Sequence, residues 1–227
     1  MSLLLCIETS TPLCSVAIHR DGKLIASTET LEEGGHGKRL TRLIEQACDQ
    51  AKISLSQLDA IAVSIGPGSY TGLRIGLATA KGLCFGLDKP LICLNTLKIM
   101  ANSWENLPAK TFLLPMLDAR RMEVYAAVFD NETQTEIIHT AAVILEPNSF
   151  AELNQATIAF GNGASKWQEI CENQLIEFST AYPYPQAKHM GKDAHSAYEN
   201  QIFAPLVQAE PEYLKEFMGT KPKIKSL

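Results

Sequence analysis

The chain opens on a short apolar run at 3–7 that stops at a polar turn, Glu8-Thr9-Ser10-Thr11-Pro12. Runs at 14–19 and 23–29 follow, separated by Asp21-Gly22, a pair suited to a tight hairpin because both residues tolerate positive φ. Three strands in a meander are the result. After the Glu- and Gly-rich break at 32–35 the rhythm changes. Leu40, Leu43, Ile44, Ala47, Cys48 and Ala51 recur at helical spacing, which predicts a helix over 36–51. Ser54 and Gln57 have the spacing of a capping box for one short turn. Residues 59–65 are almost continuously apolar, as in a strand buried on both faces.

Next comes the stretch on which the chain is centred: Gly66-Pro67-Gly68-Ser69-Tyr70-Thr71-Gly72-Leu73-Arg74-Ile75-Gly76. It predicts a sharp turn, a cap at Ser69 or Thr71, and a helix ending near Gly86. That helix has almost no polar face; Arg74 and Lys81 are its only charges. A helix apolar nearly all round is covered on more than one side, by its own fold or by a partner. Gly76, Ala80 and Gly82 are small enough for another helix to approach. A strand at 91–94 and a helix at 96–106 close the first half.

Pro108 begins a second series, with strands at 112–117, 123–130 and 137–145. A short helix is expected from Phe150, a strand at 157–160, a glycine turn at Gly161 and Gly163 and a helix through Trp167. The stretch 180–192 reads as irregular, 194–208 as helical and 210–214 as extended. The meander–helix–strand order thus starts again halfway. That predicts a mixed α/β protein of two lobes, 1–106 and 107–227, similar to the actin-like ATPase (ASKHA, RNase H-like) architecture. The tail packs back or is disordered.

Composition narrows the chemistry. The net charge of −5 argues against a broad phosphate-binding surface, and the one basic run lies at 221–225. The six cysteines form no CxxC pair and sit mostly in apolar runs, which fits free thiols in a cytoplasmic protein. No stretch is long and apolar enough to span a membrane, and 1–7 lacks the features of a signal peptide. The five histidines have no HxxxH or HExxH spacing, so no metal site is expected. His36 reads as a histidine at a helix start. The glycine-rich stretch matches neither the phosphate loop nor GxGxxG, which favours a tight strand-to-helix turn over an anion site. No G-x-S-x-G elbow supports a peptidase. Asp118-Ala119-Arg120-Arg121 with Glu123 and Tyr125 reads equally as a site or as an internal salt-bridge network.

Ile7-Glu8-Thr9-Ser10, Cys14-Ser15-Val16-Ala17, the run from Gly66 to Gly76, Asp118-Ala119-Arg120-Arg121 with Glu123-Val124-Tyr125, and Gly161-x-Gly163 stand in an order that closely resembles the TsaB (YeaZ) family. The resemblance covers most of the chain and implies an actin-like fold that has lost catalysis. It implies pairing with the catalytic paralogue TsaD, joined by the small ATPase TsaE. Their complex transfers threonylcarbamoyl from threonylcarbamoyl-adenylate to N6 of the adenosine beside the anticodon, in tRNAs reading codons that begin with A. It also implies a homodimer in the absence of TsaD, and only indirect contact with tRNA. Laid against the TsaD metal pair, the two ligand positions fall on Thr96 and Met100, so neither metal nor cofactor is expected. Glu8, Thr9, Ser10, Gly161 and Gly163 would line a vestigial nucleotide cleft. Leu40, Leu43, Ile44, Leu73, Arg74, Leu77, Ala80, Lys81 and Cys84 are the expected partner face, meeting the equivalent helix pair of TsaD. The competing expectation is an actin-like phospho- or carbamoyltransferase with its own ATP site.

Overall fold

A computed structural model describes residues 1–31 and 35–215. The predicted break at 32–34 and the basic run at 221–225 therefore lie outside the described residues. The chain forms strands β1 (Leu3–Glu8), β2 (Leu13–Arg20) and β3 (Lys23–Leu31), helix α1 (His36–Ala51), strand β4 (Ala60–Gly66), helix α2 (Tyr70–Leu87), strand β5 (Leu91–Asn95) and helix α3 (Thr96–Ala101). The second half adds β6 (Phe112–Asp118), β7 (Glu123–Asp130), β8 (Glu136–Ile144), β9 (Thr157–Phe160), α4 (Ser165–Gln168), β10 (Ile176–Ser179) and α5 (Gly191–Glu199). Asp21 and Gly22 take the left-handed conformations expected of their hairpin.

The two sheets have the same plan. The first runs β3-β2-β1-β4-β5 and the second β8-β7-β6-β9-β10. In each, three strands pair antiparallel and two more extend the sheet in parallel. This duplicated order is the two-lobed actin-like architecture. Residues alternate between the faces of β1: Leu3, Leu5 and Ile7 join the core under α1 and α2, while Leu4 and Cys6 join the core under α5. Each large aliphatic side chain removed from water in this way contributes about 1.5–3 kcal/mol.

Several expectations are corrected. The helix expected to run to 106 ends at Ala101, where the Ser103 hydroxyl donates to Met100 O at 2.6 Å. No helix starts at Phe150, which has φ +57° in a turn. The helix expected over 194–208 starts at Gly191 and ends at Glu199, after which Ala204 N donates to Leu91 O at 2.8 Å on the edge of β5. Strand β10 was not expected at all; its four residues carry too little pattern. The lobe boundary also moves. Ala187, Met190 and Ala194 pack on the first sheet, so the chain returns to lobe I after leaving lobe II. Helix α3 lies between the lobes, with Ile99 in the first core and Leu97 and Met100 in the second.

Candidate functional site: the outer face of α2 and the interlobe cleft

The glycines of the central stretch have a shared cause. A Cβ at Gly68 would lie 2.5 Å from Ser10 O, one at Gly72 would lie 2.0 Å from Thr9 O, and one at Gly76 would lie 2.2 Å from Thr9 Oγ1. Spaced four apart, they form one row running from the turn before α2 into its first two turns, and the turn between β1 and β2 lies against that row. Thr9 Oγ1 donates to Gly72 O at 2.8 Å, and Ser69 N donates to Ser10 O at 2.6 Å. Ser69 caps the helix by accepting from Gly72 N at 3.2 Å. The motif is thus a packing surface for a polar turn, the strand-to-helix reading favoured by the sequence.

That contact seals the turn. Glu8, Thr9 and Ser10 are at most 1% exposed. Glu8 Oε1 accepts from Ser10 N at 2.6 Å, and burial pushes the carboxyl above its usual range, offset in part by hydrogen bonds from Ser10 and Ser64. His36 closes the same turn, its Nε2 lying 2.8 Å from Thr11 O. Gly161 and Gly163 are packing glycines too: a Cβ at the first would meet Met116 O at 2.3 Å, and one at the second Asp118 N at 2.9 Å. Of the five residues expected to line a nucleotide cleft, only Ser10 borders the interlobe cavity.

Helix rotation corrects the expected partner face. Leu40, Leu43, Ile44, Leu77, Ala80 and Cys84 lie in the core beneath the first sheet and Leu73 is fully buried, none of the seven more than 6% exposed. They hold α1 and α2 to their own lobe and cannot meet a partner without unfolding it. Arg74 is exposed and Lys81 half-buried, and both bond to the chain's own segment 207–213. The solvent-facing stripe of α2 is Thr71, Arg74, Ala78, Gly82 and Phe85. Phe85 is 83% exposed, and a Cβ at Gly82 or Gly86 would touch nothing within 4 Å. The neighbouring face of α1 is polar, with Lys38, Thr41, Arg42, Glu45, Gln46 and Asp49 outward. A sequence signal for this rotation existed. The row Gly68, Gly72, Gly76 marks the side that meets the turn, and Ala78, Gly82 and Phe85 lie on the other side.

The cleft between the lobes encloses about 680 Å³, walled by 10–12, 67–71, the β6–β7 hairpin at 117–125, Asn162 and chain segment 212–215. The hairpin is open to solvent. Arg120 and Arg121 hold φ of 71° and 52°, and both are exposed. Asp118 pairs with Lys166 at 2.5 Å, and Glu123 pairs with Lys215. The hairpin is therefore a network of ion pairs with two arginines standing outside it. Thr96 and Met100 are buried, at 0% and 1% exposure. Among the described residues no group of three His, Cys, Asp or Glu side chains could hold a metal ion. The cysteines are free, and burial pushes the Cys84 thiol up to about 12, far from a useful nucleophile. No helix among the described residues is long and apolar enough to cross a membrane.

Comparison with known proteins assigns the relatives. The family model described as TsaD, tRNA N6-adenosine threonylcarbamoyltransferase, matches residues 30–224. The tRNA threonylcarbamoyladenosine biosynthesis protein TsaB of Escherichia coli is 29% identical, covering 96% of each chain. Its counterpart in Haemophilus influenzae is 30% identical, covering 93% of each chain. The solved structure of YeaZ from Pseudomonas aeruginosa superposes with a TM-score of 0.80 at 28% identity, covering 94% of this chain and 100% of that one.

Proposed function

Because the chain belongs to the TsaB (YeaZ) family of tRNA threonylcarbamoyladenosine biosynthesis proteins, we propose that it is the non-catalytic subunit of the threonylcarbamoyltransferase complex. It acts by docking the catalytic paralogue TsaD, with TsaE joining them. The complex moves threonylcarbamoyl from threonylcarbamoyl-adenylate to N6 of the adenosine beside the anticodon. The observation that carries this reading is the outward stripe of α2, with bare backbone at Gly82 and Gly86 and an aromatic ring 83% exposed at Phe85. An exposed large ring beside a close-approach surface suits a second helix. The TsaD family model spans both α1 and α2. A paralogue with the same helix pair can present a like surface and pair about a pseudo-twofold axis.

Loss of catalysis is supported by the sealed turn at Glu8, Thr9 and Ser10, which leaves no space for a phosphate where the strands would wrap one. The buried Thr96 and Met100, standing where the paralogue has metal-binding histidines, support it further.

Reconstitution tests the proposal. Threonylcarbamoyl transfer to tRNA is followed with TsaD, TsaE and threonylcarbamoyl-adenylate, with and without this protein, and with this protein alone. A scaffold is silent alone and required in the mixture. Transfer or ATP turnover by the chain alone would make it an actin-like transferase with its own site.

A further inference from the structure

Beyond α5 the described chain does not stay on the lobe where that helix packs. From Ala204 on the edge of β5 it runs across α2, where the Lys81 ammonium donates to Val207 O and Ala209 O, each at 3.1 Å. It then enters the mouth of the interlobe cleft. Glu212 N donates to Ile65 O at 2.7 Å. Gly66 holds φ +133°, and a Cβ there would lie 2.6 Å from Glu212 O. The first glycine of the central turn is thus set apart from Gly68, Gly72 and Gly76: the tail requires it, not the β1–β2 turn.

Beyond that point the contacts become side-chain specific. The Tyr213 ring stacks on Tyr70 with centroids 4.7 Å apart and an interplanar angle of 30°. Its hydroxyl accepts from Arg74 Nε at 2.9 Å, and the Arg74 guanidinium lies 4.0 Å from the centre of the Tyr70 ring. Lys215 then crosses to lobe II. Its ammonium pairs with the Glu123 carboxylate and lies 3.5 Å from Ala119 O, both on the β6–β7 hairpin. One covalent segment is therefore fixed to the start of α2 in lobe I and to the open hairpin of lobe II.

We propose that residues 212–215 form a strap that holds the interlobe cleft shut, with the Lys215–Glu123 pair as its latch on lobe II and Tyr213 as its anchor on lobe I. The strap sits at a place where the duplicated lobes differ, the unsealed hairpin of lobe II. It touches that hairpin at Ala119 and Glu123, while the tip at Arg120 and Arg121 stays in solvent. This inference is independent of the docking proposal, since it requires no partner.

Hydrogen exchange of the full chain, read by mass spectrometry, tests it. Lys215→Glu sets two carboxylates face to face at the latch. Amides of 118–123 and 68–72 should then exchange about ten-fold faster, with β1 and residues 60–65 unchanged. Combining Lys215→Glu with Glu123→Lys restores the pair with reversed polarity and should return both segments to the wild-type rate. Tyr213→Ala should open the same segments by releasing the anchor, and it keeps the test available if the charge reversal perturbs folding. Unchanged exchange in both segments for Lys215→Glu and Tyr213→Ala would overturn the strap. So would a charge-swapped pair that stays open.

Discussion

The two lobes are built on one strand order, yet their first hairpins meet opposite fates. In lobe I the turn at Glu8, Thr9 and Ser10 is closed under an 18-residue helix whose glycine row fits against it. In lobe II the equivalent turn, between β6 and β7, is followed in its lobe by α4, which is only four residues long. Gly161 and Gly163 hold the base of that turn, and Asn162 Oδ1 accepts from Asp118 N at 3.0 Å, but nothing comparable to α2 covers its tip. Arg120 and Arg121 are left in solvent. A duplicated sheet does not fix where chemistry can occur. Helix length and a single row of glycines decide which turn is reachable. Here the lobe whose first turn is sealed is also the lobe with the long helix and its outward stripe.

The sharpest way to break this contrast is to put charge on either side of α2. Leu77 is 4% exposed in the first core, so Leu77→Glu should cost about 3–5 kcal/mol and lower the urea midpoint sharply. Phe85→Glu, two turns along on the outer stripe, should leave the urea midpoint within about 0.5 kcal/mol of wild type. Circular dichroism with urea separates the two; similar losses of stability would mean that the rotation of α2 is misplaced.

Glycine substitutions test the seal itself. Gly72→Ala drives a methyl into Thr9 O and should cost about 1–3 kcal/mol despite the better helix propensity of alanine. Gly82→Ala meets nothing and should gain about 0.5–1 kcal/mol. An equal effect at both positions would remove the distinction between the sealed and the open face.

The face of lobe I that carries α5 makes a smaller, pH-dependent prediction. Burial pushes the His19 imidazole down, and it pushes His189 down to about 4, with Lys188 and His19 adding to the effect at His189. Both are held neutral in the fold, whereas the unfolded chain protonates near 6.5. The unfolded state therefore binds more protons in acid. Stability should be full above pH 6.5 and fall as pH drops toward about 4. Thermal melts across that window should show the loss, and His189→Asn should flatten it.

Much of this was legible in the sequence. Asp21-Gly22 announced its hairpin, Leu40 to Ala51 announced α1, and the restart after Pro108 announced a second lobe. The start of α2 was legible because Gly and Pro leave few alternatives. The rotation of α2 could not be read from periodicity, which needs polar positions where this helix offers only Arg74 and Lys81; the glycine row was the signal left. Seven core residues were therefore read as a partner face. The return of the chain to lobe I stood only as one of two fates of the tail, and its start at Ala187 was hidden. It depends on small buried contacts such as Ala187 N to Ser15 Oγ at 2.9 Å, which no local pattern signals. Strand β10 and the end of α5 were missed for a similar reason: each is decided by a neighbour distant in sequence.

The direct test of the central claim is titration of TsaD against Phe85→Glu, with the unfolding midpoint of the same preparation measured alongside. A docking face on the outer stripe of α2 requires affinity at least about 100-fold weaker with the midpoint unchanged. Affinity within about three-fold of wild type would place the partner elsewhere and leave the exposed ring at Phe85 without the role proposed for it.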